Sequence, residues 1–123
     1  MKVYISTPIN GRHEETFEKK YIVAEARTRT IIEHLRRLPE YKDAEFVTTF
    51  DINPLGEVTE AQAMGRCVTA LLESDVVFLD TRNPEMFANS KGCTFEQDLA
   101  TEYGIHCRWI EEDHGEDSFS ITF

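Results

Sequence analysis

The apolar run VVFL at residues 76–79 constrains the fold more than any other feature of the sequence. A strand with one face in water alternates apolar and polar side chains, whereas a strand covered on both faces is a continuous apolar run. Segments 2–5, 44–50 and 105–110 are rich in β-branched and aromatic residues and predict three further strands. The chain must therefore supply helices to cover both faces of a sheet.

Helical periodicity fills the segments between these strands. Apolar or small residues recur every three or four positions over 16–38, over 60–74 and in the stretch that ends at Gly104. The residues of the three predicted buried stripes are Phe17, Tyr21, Ala24, Thr28, Ile31, Leu35 and Leu38, then Met64, Val68, Leu71 and Leu72, then Phe95, Leu99 and Tyr103. Strands that alternate with helices form parallel sheets with right-handed crossovers. We therefore predict one α/β domain over 1–123, with a three-layer, Rossmann-like (flavodoxin-like), mostly parallel sheet of four or five strands and helices on both faces.

The end of the sequence alternates Phe119, Ile121 and Phe123 with polar residues, as an edge strand or a partner-contacting strand does. Three large apolar side chains near a terminus are unfavourable unless they are covered. We expect a homo-oligomer, most simply a two-fold dimer, with this tail or the second long helix at the interface. The competing interpretation is that the tail folds back as a fifth strand of its own sheet.

Composition limits the partners of the chain. The sequence has 23 acidic and 13 basic residues, a net charge of −10, which disfavours nucleic acid because phosphate backbones need clustered Lys and Arg. No apolar run approaches the roughly 18 residues of a membrane span, and the opening MKVYIS does not resemble a secretory signal. We expect no membrane partner and a cytoplasmic location. Cys67, Cys93 and Cys107 lack the spacing of zinc ligands, so we expect reduced thiols, no metal and no other cofactor.

Polar residues follow each of the first three predicted strands. In open α/β sheets, ligands bind outside the carboxyl ends of the strands, which is where these loops meet. The residues with chemically capable side chains or close backbone access in these loops are Ser6, Thr7, Asn10, Asp51, Asn53, Asp80, Ser90, Gly92 and Glu96. We predict that they line one cleft.

Four motifs follow one another in an order that resembles the nucleoside 2-deoxyribosyltransferase-like superfamily over nearly the whole chain. They are YISTPINGR at 4–12, NPLG at 53–56, LLESDVVFLD at 71–80 and SKGCTFEQDLATEYG at 90–104. The resemblance implies a small-molecule substrate, a nucleoside or nucleoside 5′-monophosphate, and assigns to Glu96 the nucleophilic attack on the anomeric carbon. It also implies an oligomer, since sites in this superfamily are commonly completed by residues near the C-terminus of a neighbour.

The chemistry of the reaction agrees with this role for Glu96. Breaking an N-glycosidic bond builds oxocarbenium character, which a carboxylate can stabilise or capture. A position near a helix N-terminus is expected to keep the carboxylate ionised, as a nucleophile requires. Ser90 stands where relatives that act on free nucleosides carry an aspartate and nucleotide N-hydrolases carry a serine, which favours a 5′-phosphate. The alternative role for Ser90 is a helix cap.

One departure from the family concerns the proton donor. Relatives usually carry an aspartate eight residues before the residue that matches Asp75, and this chain has Cys67 there. A thiol is a poor proton donor to a base nitrogen, so Asp51 or Asp80 would have to assist the leaving base. Cys67 falls on the predicted apolar stripe and is interpreted as packed and inert.

Three functions stay open at the level of sequence. The first is an enzyme that cleaves or transfers the N-glycosidic bond of a nucleoside or nucleotide. The second is a catalytically silent relative that binds or senses a nucleotide-derived small molecule, which the Cys67 departure favours. The third is an oligomeric protein-interaction module. Saturable binding without turnover would favour the second function, and failure to bind any nucleotide would favour the third.

Overall fold

The computed structural model of the protein describes residues 1–112 and 119–122. Within these residues the strands are β1 (Lys2–Ser6), β2 (Glu45–Thr48), β3 (Val76–Asp80), β4 (His106–Glu112) and β5 (Phe119–Thr122). The helices are α1 (Phe17–Arg36), α2 (Thr49–Ile52), α3 (Glu60–Leu72), α4 (Pro84–Ala88) and α5 (Lys91–Glu102). None of these helices is both long enough and apolar enough to cross a bilayer.

The described strands form one sheet in the order β2-β1-β3-β4-β5. Strand β1 pairs in parallel with β2 and with β3, and β3 pairs in parallel with β4. Strand β5 is antiparallel to β4, with Ile121 opposite Ile110. This is the flavodoxin-like strand order with a reversed edge strand, and its switch point lies between β1 and β3. The predicted α/β fold class with a mostly parallel sheet is confirmed.

Helices cover both faces of the sheet. On one face, Ile31 and Leu35 of α1 pack in a cluster with Val3, Ile5 and Phe78. On the other face, residues of α3 and α5 pack in a second cluster, which includes Leu71, Ala100, Tyr4, Val77 and Leu79. Every residue of β3 is buried, as the continuous apolar run predicts. The molecule therefore has three layers.

The long helices begin at residues that cap them. Thr16 accepts a hydrogen bond from the Lys19 amide at 3.2 Å before α1. Thr59 and Gln62 form a reciprocal capping box at the start of α3. The side chain of Ser90 caps α5, accepting from the Cys93 amide at 3.4 Å. These caps satisfy amides that have no intrahelical acceptor.

Two short helices occupy segments that sequence patterns assign otherwise. The predicted strand 44–50 ends at Thr48 because Thr48 and Asp51 form a capping box that starts α2. The segment after β3, which the sequence predicts as a loop, contains α4, which begins with Asn83 as cap and Pro84 in its first turn. Helices of four and five residues are too short to show a hydrophobic period.

The predicted stripe of α1 is confirmed from Tyr21 to Leu35. Its first residue, Phe17, is 52% exposed, and its last, Leu38, lies beyond the end of the helix and is half-buried.

The stripes of α3 and α5 are wrong in part. Helix α3 buries Leu71 but leaves Leu72 43% exposed, and Met64 and Val68 are half-buried. The α3 face turned to the sheet carries smaller residues than the predicted stripe.

Helix α5 presents a different face to the sheet from the one that its apolar residues predict. Its buried residues are Cys93, Glu96 and Ala100, whereas Phe95 is 39% and Tyr103 is 65% exposed. Small side chains let this helix approach the strands closely. The same packing carries Glu96 inward.

The tail is the fifth strand of its own sheet, which is the competing interpretation from the sequence. The backbone of Phe119–Thr122 pairs with β4. Phe123 and the acidic segment 113–118 lie outside the described residues.

Candidate functional site

A cavity of about 350 Å³ opens at the carboxyl end of β1, beside the switch point of the sheet. Its walls come from the loop after β1, the start of α1, the α2–α3 segment and the first turns of α5. The lining residues are Thr7, Ile9, Asn10, Phe17, Tyr21, Thr49, Asn53, Pro54, Leu55, Gly56, Val58, Thr59, Glu60, Ala63, Met64, Cys67, Ser90, Lys91, Gly92, Cys93, Phe95 and Glu96. This volume lies within the range of small-molecule sites.

Glu96 is the buried residue among the charged residues that line the cavity. It is only 9% exposed, and its Oε1 accepts a hydrogen bond from Ser6 Oγ at 3.0 Å. Neither Glu96 Oε2 nor the hydroxyl of Tyr4 has a hydrogen-bond partner among the described residues, although both are buried. Buried polar atoms are rarely left unpaired in proteins. Ser6 therefore fixes one carboxyl oxygen, and the Tyr4 hydroxyl lies beside the carboxyl group and favours its charged form.

Burial raises the pKa of Glu96 to about 7, although the hydroxyls of Tyr4 and Ser6 favour its charged form. The expectation that the start of the helix keeps this group ionised is therefore wrong. Glu96 is the sixth residue of α5, and the influence of the helix dipole falls off within the first turn. Desolvation in a buried position outweighs it. The carboxyl group is divided between its two forms near neutral pH.

The first turn of α5 borders the cavity. Ser90, Lys91 and Gly92 all line it. The early amides of a helix have no intrahelical acceptor and attract anions. The loop after β1 packs on α4 and on the cap of α5, because a methyl group at Gly11 would overlap the Met86 carbonyl oxygen and lie 3.2 Å from the Ser90 amide nitrogen. Gly11 thus permits the contact that closes this side of the cavity.

Cys67 packs against the hydrophobic cluster of α3 and α5, as predicted, and it also lines the cavity. Its Sγ lies 3.4 Å from Thr49 Oγ1 as donor, and 3.4 Å from Asn53 Nδ2 as acceptor. Asn53 Nδ2 also donates to Thr49 Oγ1 at 2.9 Å and to the Ala63 carbonyl at 3.4 Å. Burial, together with the nearby charge of Glu96, raises the pKa of Cys67. A neutral thiol and a carboxamide therefore form this wall.

Six of the nine sequence-predicted residues line the cavity together, and these are Thr7, Asn10, Asn53, Ser90, Gly92 and Glu96. Ser6 lies behind Glu96 as its hydrogen-bond donor. The structure therefore brings seven of them into one constellation, and their roles toward a substrate stay a prediction.

Asp51 and Asp80 do not line the cavity. Asp51 accepts from Arg29 at 2.8 Å and belongs to the capping box of α2. Asp80 is buried and accepts two hydrogen bonds of 2.8 Å from Arg82. Both carboxylates are engaged by arginines, so the expectation that one of them assists a leaving base is not supported by their positions. Arg12, in the loop after β1, pairs with Glu14.

Residues that sequence patterns place elsewhere complete the site. Phe17 and Phe95 belong to predicted buried stripes but line the cavity and are partly exposed. Tyr4, a residue of the first predicted strand, is fully buried beside Glu96. The signal available for Phe17 and Phe95 was their place next to the two loops that carry the polar candidates. Within the described residues, no group of three or more His, Cys, Asp and Glu side chains is placed to hold a metal ion.

Comparisons with protein-family models, with curated proteins and with solved structures found no match to this chain. The resemblance in its motifs therefore stays an expectation from the sequence.

Proposed function

We propose that the protein cleaves or transfers the N-glycosidic bond of a nucleoside or nucleoside 5′-monophosphate, with Glu96 as the nucleophile. The observation that carries the proposal is the Glu96 carboxyl group, buried in the cavity with one oxygen held by Ser6 and the other unpaired. A positioned carboxylate with a free oxygen suits attack on an anomeric carbon. The resemblance of the motifs at 4–12 and 90–104 supports the same role.

The position of Glu96 fits the demands of this reaction. The developing oxocarbenium ion needs a negative charge close to C1′ and little competing water. A desolvated carboxylate interacts more strongly with a developing cation than a solvated one does. Tyr4 and Ser6 hold hydroxyl groups beside Glu96 and favour its ionised form, the form that attacks. We infer that Tyr4 and Ser6 position the nucleophile.

The first turn of α5 is the proposed contact of a 5′-phosphate. Its amides, the Ser90 hydroxyl and the Lys91 ammonium are the anion-binding groups at this side of the cavity. Ser90→Asp tests this, because aspartate caps helices as well as serine does but adds a negative charge. We expect the preference for monophosphates over nucleosides to fall by about tenfold or more, which corresponds to roughly 1.4 kcal/mol. Equal affinity of the natural chain for both ligand types would remove the phosphate from the proposal.

The experiment for the reaction is chromatography of released base. The protein is incubated with ribo- and deoxyribonucleosides, with their 5′-monophosphates, and with analogues that carry cationic bases. We expect release of base from at least one nucleotide, and loss of that release in Glu96→Gln, which keeps the shape of the side chain. Thermal unfolding of both proteins controls for folding. Turnover retained by Glu96→Gln would disprove the role of Glu96.

A second candidate is a protein that binds or senses a nucleotide without cleaving it. The observation that favours it is the neutral wall of Cys67 and Asn53, where the related family carries an acid. Calorimetric titration with the same panel distinguishes the two functions. Saturable binding with no base release from any compound would establish the binder, and no binding at all would favour a protein-interaction module.

A further inference from the structure

Cleavage of a nucleoside with a neutral base requires two ionisable groups in the site. A nucleophile attacks C1′, and an acid donates a proton to the departing base. The lining side chains that could titrate, within the described part of the chain, are Tyr21, Glu60, Cys67, Lys91, Cys93 and Glu96. Glu96 has the nucleophilic role in the proposed function, so the acid must come from the others.

None of the others is built as that acid. Glu60 and Lys91 are both exposed to solvent, in the first turns of α3 and α5. Cys93 is 2% exposed, and burial raises its pKa to about 12. The hydroxyl of Tyr21 donates to the Asn53 carbonyl at 2.9 Å. Cys67 is a neutral thiol whose hydrogen points at Thr49.

The cavity does contain features that attract a flat cation. The aromatic rings of Phe17, Tyr21 and Phe95 line it, and Phe17 and Phe95 are partly exposed. Aromatic faces attract cations that lie over them. Glu60 and Glu96 add carboxyl groups, whereas Lys91 is the basic residue of the lining. A cationic ligand would also favour the ionised form of Glu96 through their mutual attraction.

We propose that the substrate is a nucleoside or nucleotide whose base already carries a positive charge, a pyridinium or an N7-alkylated purinium. This inference rests on the proposed function and narrows its substrate class. In both classes of base, the nitrogen of the glycosidic bond belongs to a ring that carries a positive charge. Such a base leaves as a neutral molecule and requires no proton from the protein.

The reaction balances without an acid. The Glu96 carboxylate forms a bond to C1′ while the C1′–N bond breaks. The electron pair of the C1′–N bond passes to the ring nitrogen and neutralises the cationic base. The resulting ester between Glu96 and the sugar is attacked by water at C1′. The C1′–O bond to Glu96 breaks with its electrons returning to the carboxylate, the sugar gains a hydroxyl group, and one proton passes to solvent. One carboxyl group suffices for both steps.

The test compares two substrates that differ by one methyl group and one charge, 7-methylguanosine 5′-monophosphate and guanosine 5′-monophosphate. Nicotinamide mononucleotide is tested in parallel as the substrate with a pyridinium base. Its turnover, compared with that of 7-methylguanosine 5′-monophosphate, shows which of the two cationic bases the protein prefers. We expect kcat/KM for at least one cationic nucleotide to exceed that for guanosine 5′-monophosphate by about 100-fold or more, the usual contribution of acid catalysis. A smaller ratio for both cationic nucleotides overturns the inference.

Variants at Cys67 show whether the missing acid causes the preference. Cys67→Asp supplies a carboxyl group, and we expect it to lower the ratio of cationic to neutral turnover by about tenfold or more. Cys67→Asn is the matched control of similar size without an acid, and it should keep the ratio. An unchanged ratio in a folded Cys67→Asp protein contradicts the inference.

The outcomes separate this inference from the proposed function. Comparable cleavage of cationic and neutral nucleotides, abolished by Glu96→Gln, overturns the inference and leaves the proposed function in place. Absence of base release from every nucleotide overturns both. Release that survives Glu96→Gln removes the nucleophile and with it the basis of the inference.

Discussion

Glu96 is the residue on which the functional account depends. Its carboxyl group is buried against Tyr4 and Ser6, and burial raises its pKa to about 7 from an ordinary value of 4.5. Burying a group that must ionise costs folding free energy, which functional sites commonly tolerate. The same burial strengthens its interaction with a developing cation. Stability and reactivity are therefore opposed at this residue.

This opposition predicts a pH-dependent gain from removing the carboxyl group. The folded protein binds the Glu96 proton more tightly than the unfolded chain does, so its stability falls as pH rises from about 4.5 through about 7. Glu96→Gln has no such loss and should be more stable than the natural chain above pH 8, by on the order of 3 kcal/mol. Urea unfolding at pH 5 and pH 8.5 measures it. If the difference in free energy of unfolding between the two proteins does not grow from pH 5 to pH 8.5, the raised pKa of Glu96 is contradicted.

At the residue scale, the sequence predicted which side chains meet but not their ionisation. The loop rule for α/β sheets placed Thr7, Asn10, Asn53 and Ser90 around Glu96 correctly, because it needs only strand ends. The pKa of Glu96 depends on three-dimensional burial, which no local pattern records. The positions of Asp51 and Asp80 depend on ion pairs with arginines that follow from packing.

A close contact joins the loop after β1 to α4 and to the cap of α5. At Gly11 a side chain would overlap the Met86 carbonyl oxygen of α4 and lie close to the Ser90 amide nitrogen. Thr7 and Asn10 of the same loop line the cavity together with Ser90. The contact therefore helps to hold this loop beside Ser90.

Paired glycine substitutions test this contact. Gly11→Ala would force backbone atoms apart, and we expect it to lower the free energy of unfolding by about 1–3 kcal/mol and to weaken nucleotide binding. Gly65→Ala in α3 meets nothing within 4 Å and should raise that free energy by about 0.5–1 kcal/mol. Thermal unfolding and calorimetric titration of both variants provide the readouts. A stable Gly11→Ala protein would show that the contact is loose.

At the element scale, the long helices and the strands were predictable from the sequence. The short helices, and the helix face that is buried through small residues, were not. The four parallel strands and three long helices follow from hydrophobic runs and periods. The short helices α2 and α4 depend on local caps at Thr48 and Asn83. The buried face of α5 could not be predicted from its apolar residues, because Cys93 and Ala100 pack closely while Phe95 and Tyr103 stay outside.

Exposed apolar side chains occur on both helical layers of the described residues, with Phe17 and Ile22 on α1. Helices α3 and α5 contact each other on the same face of the sheet, and Leu72, Phe95 and Tyr103 are exposed on them. Grouped exposed apolar residues commonly mark contact surfaces. Since the tail pairs with β4 of its own sheet, the α3–α5 layer becomes the better candidate for the expected interface between copies.

We expect a two-fold dimer through the α3–α5 layer. Leu72→Glu combined with Tyr103→Glu should convert the dimer to a monomer, because two desolvated carboxylates at an apolar interface are strongly unfavourable. Ile22→Glu on α1, on the other face of the sheet and 54% exposed, is the matched control. Light scattering at micromolar concentration reports the mass. A monomeric natural chain, or a dimer that survives the double substitution, would contradict this assignment.

The most direct test of the central claim is to trap the nucleophile. A substrate that the protein cleaves is prepared with fluorine at the 2′ position, which slows both formation and breakdown of a glycosyl ester by destabilising oxocarbenium character. Mass spectrometry of the intact protein, followed by peptide mapping, locates any adduct. We expect one fluorosugar per chain, on Glu96, and none in Glu96→Gln. An adduct on another residue, or base release with no adduct on Glu96, would contradict the account.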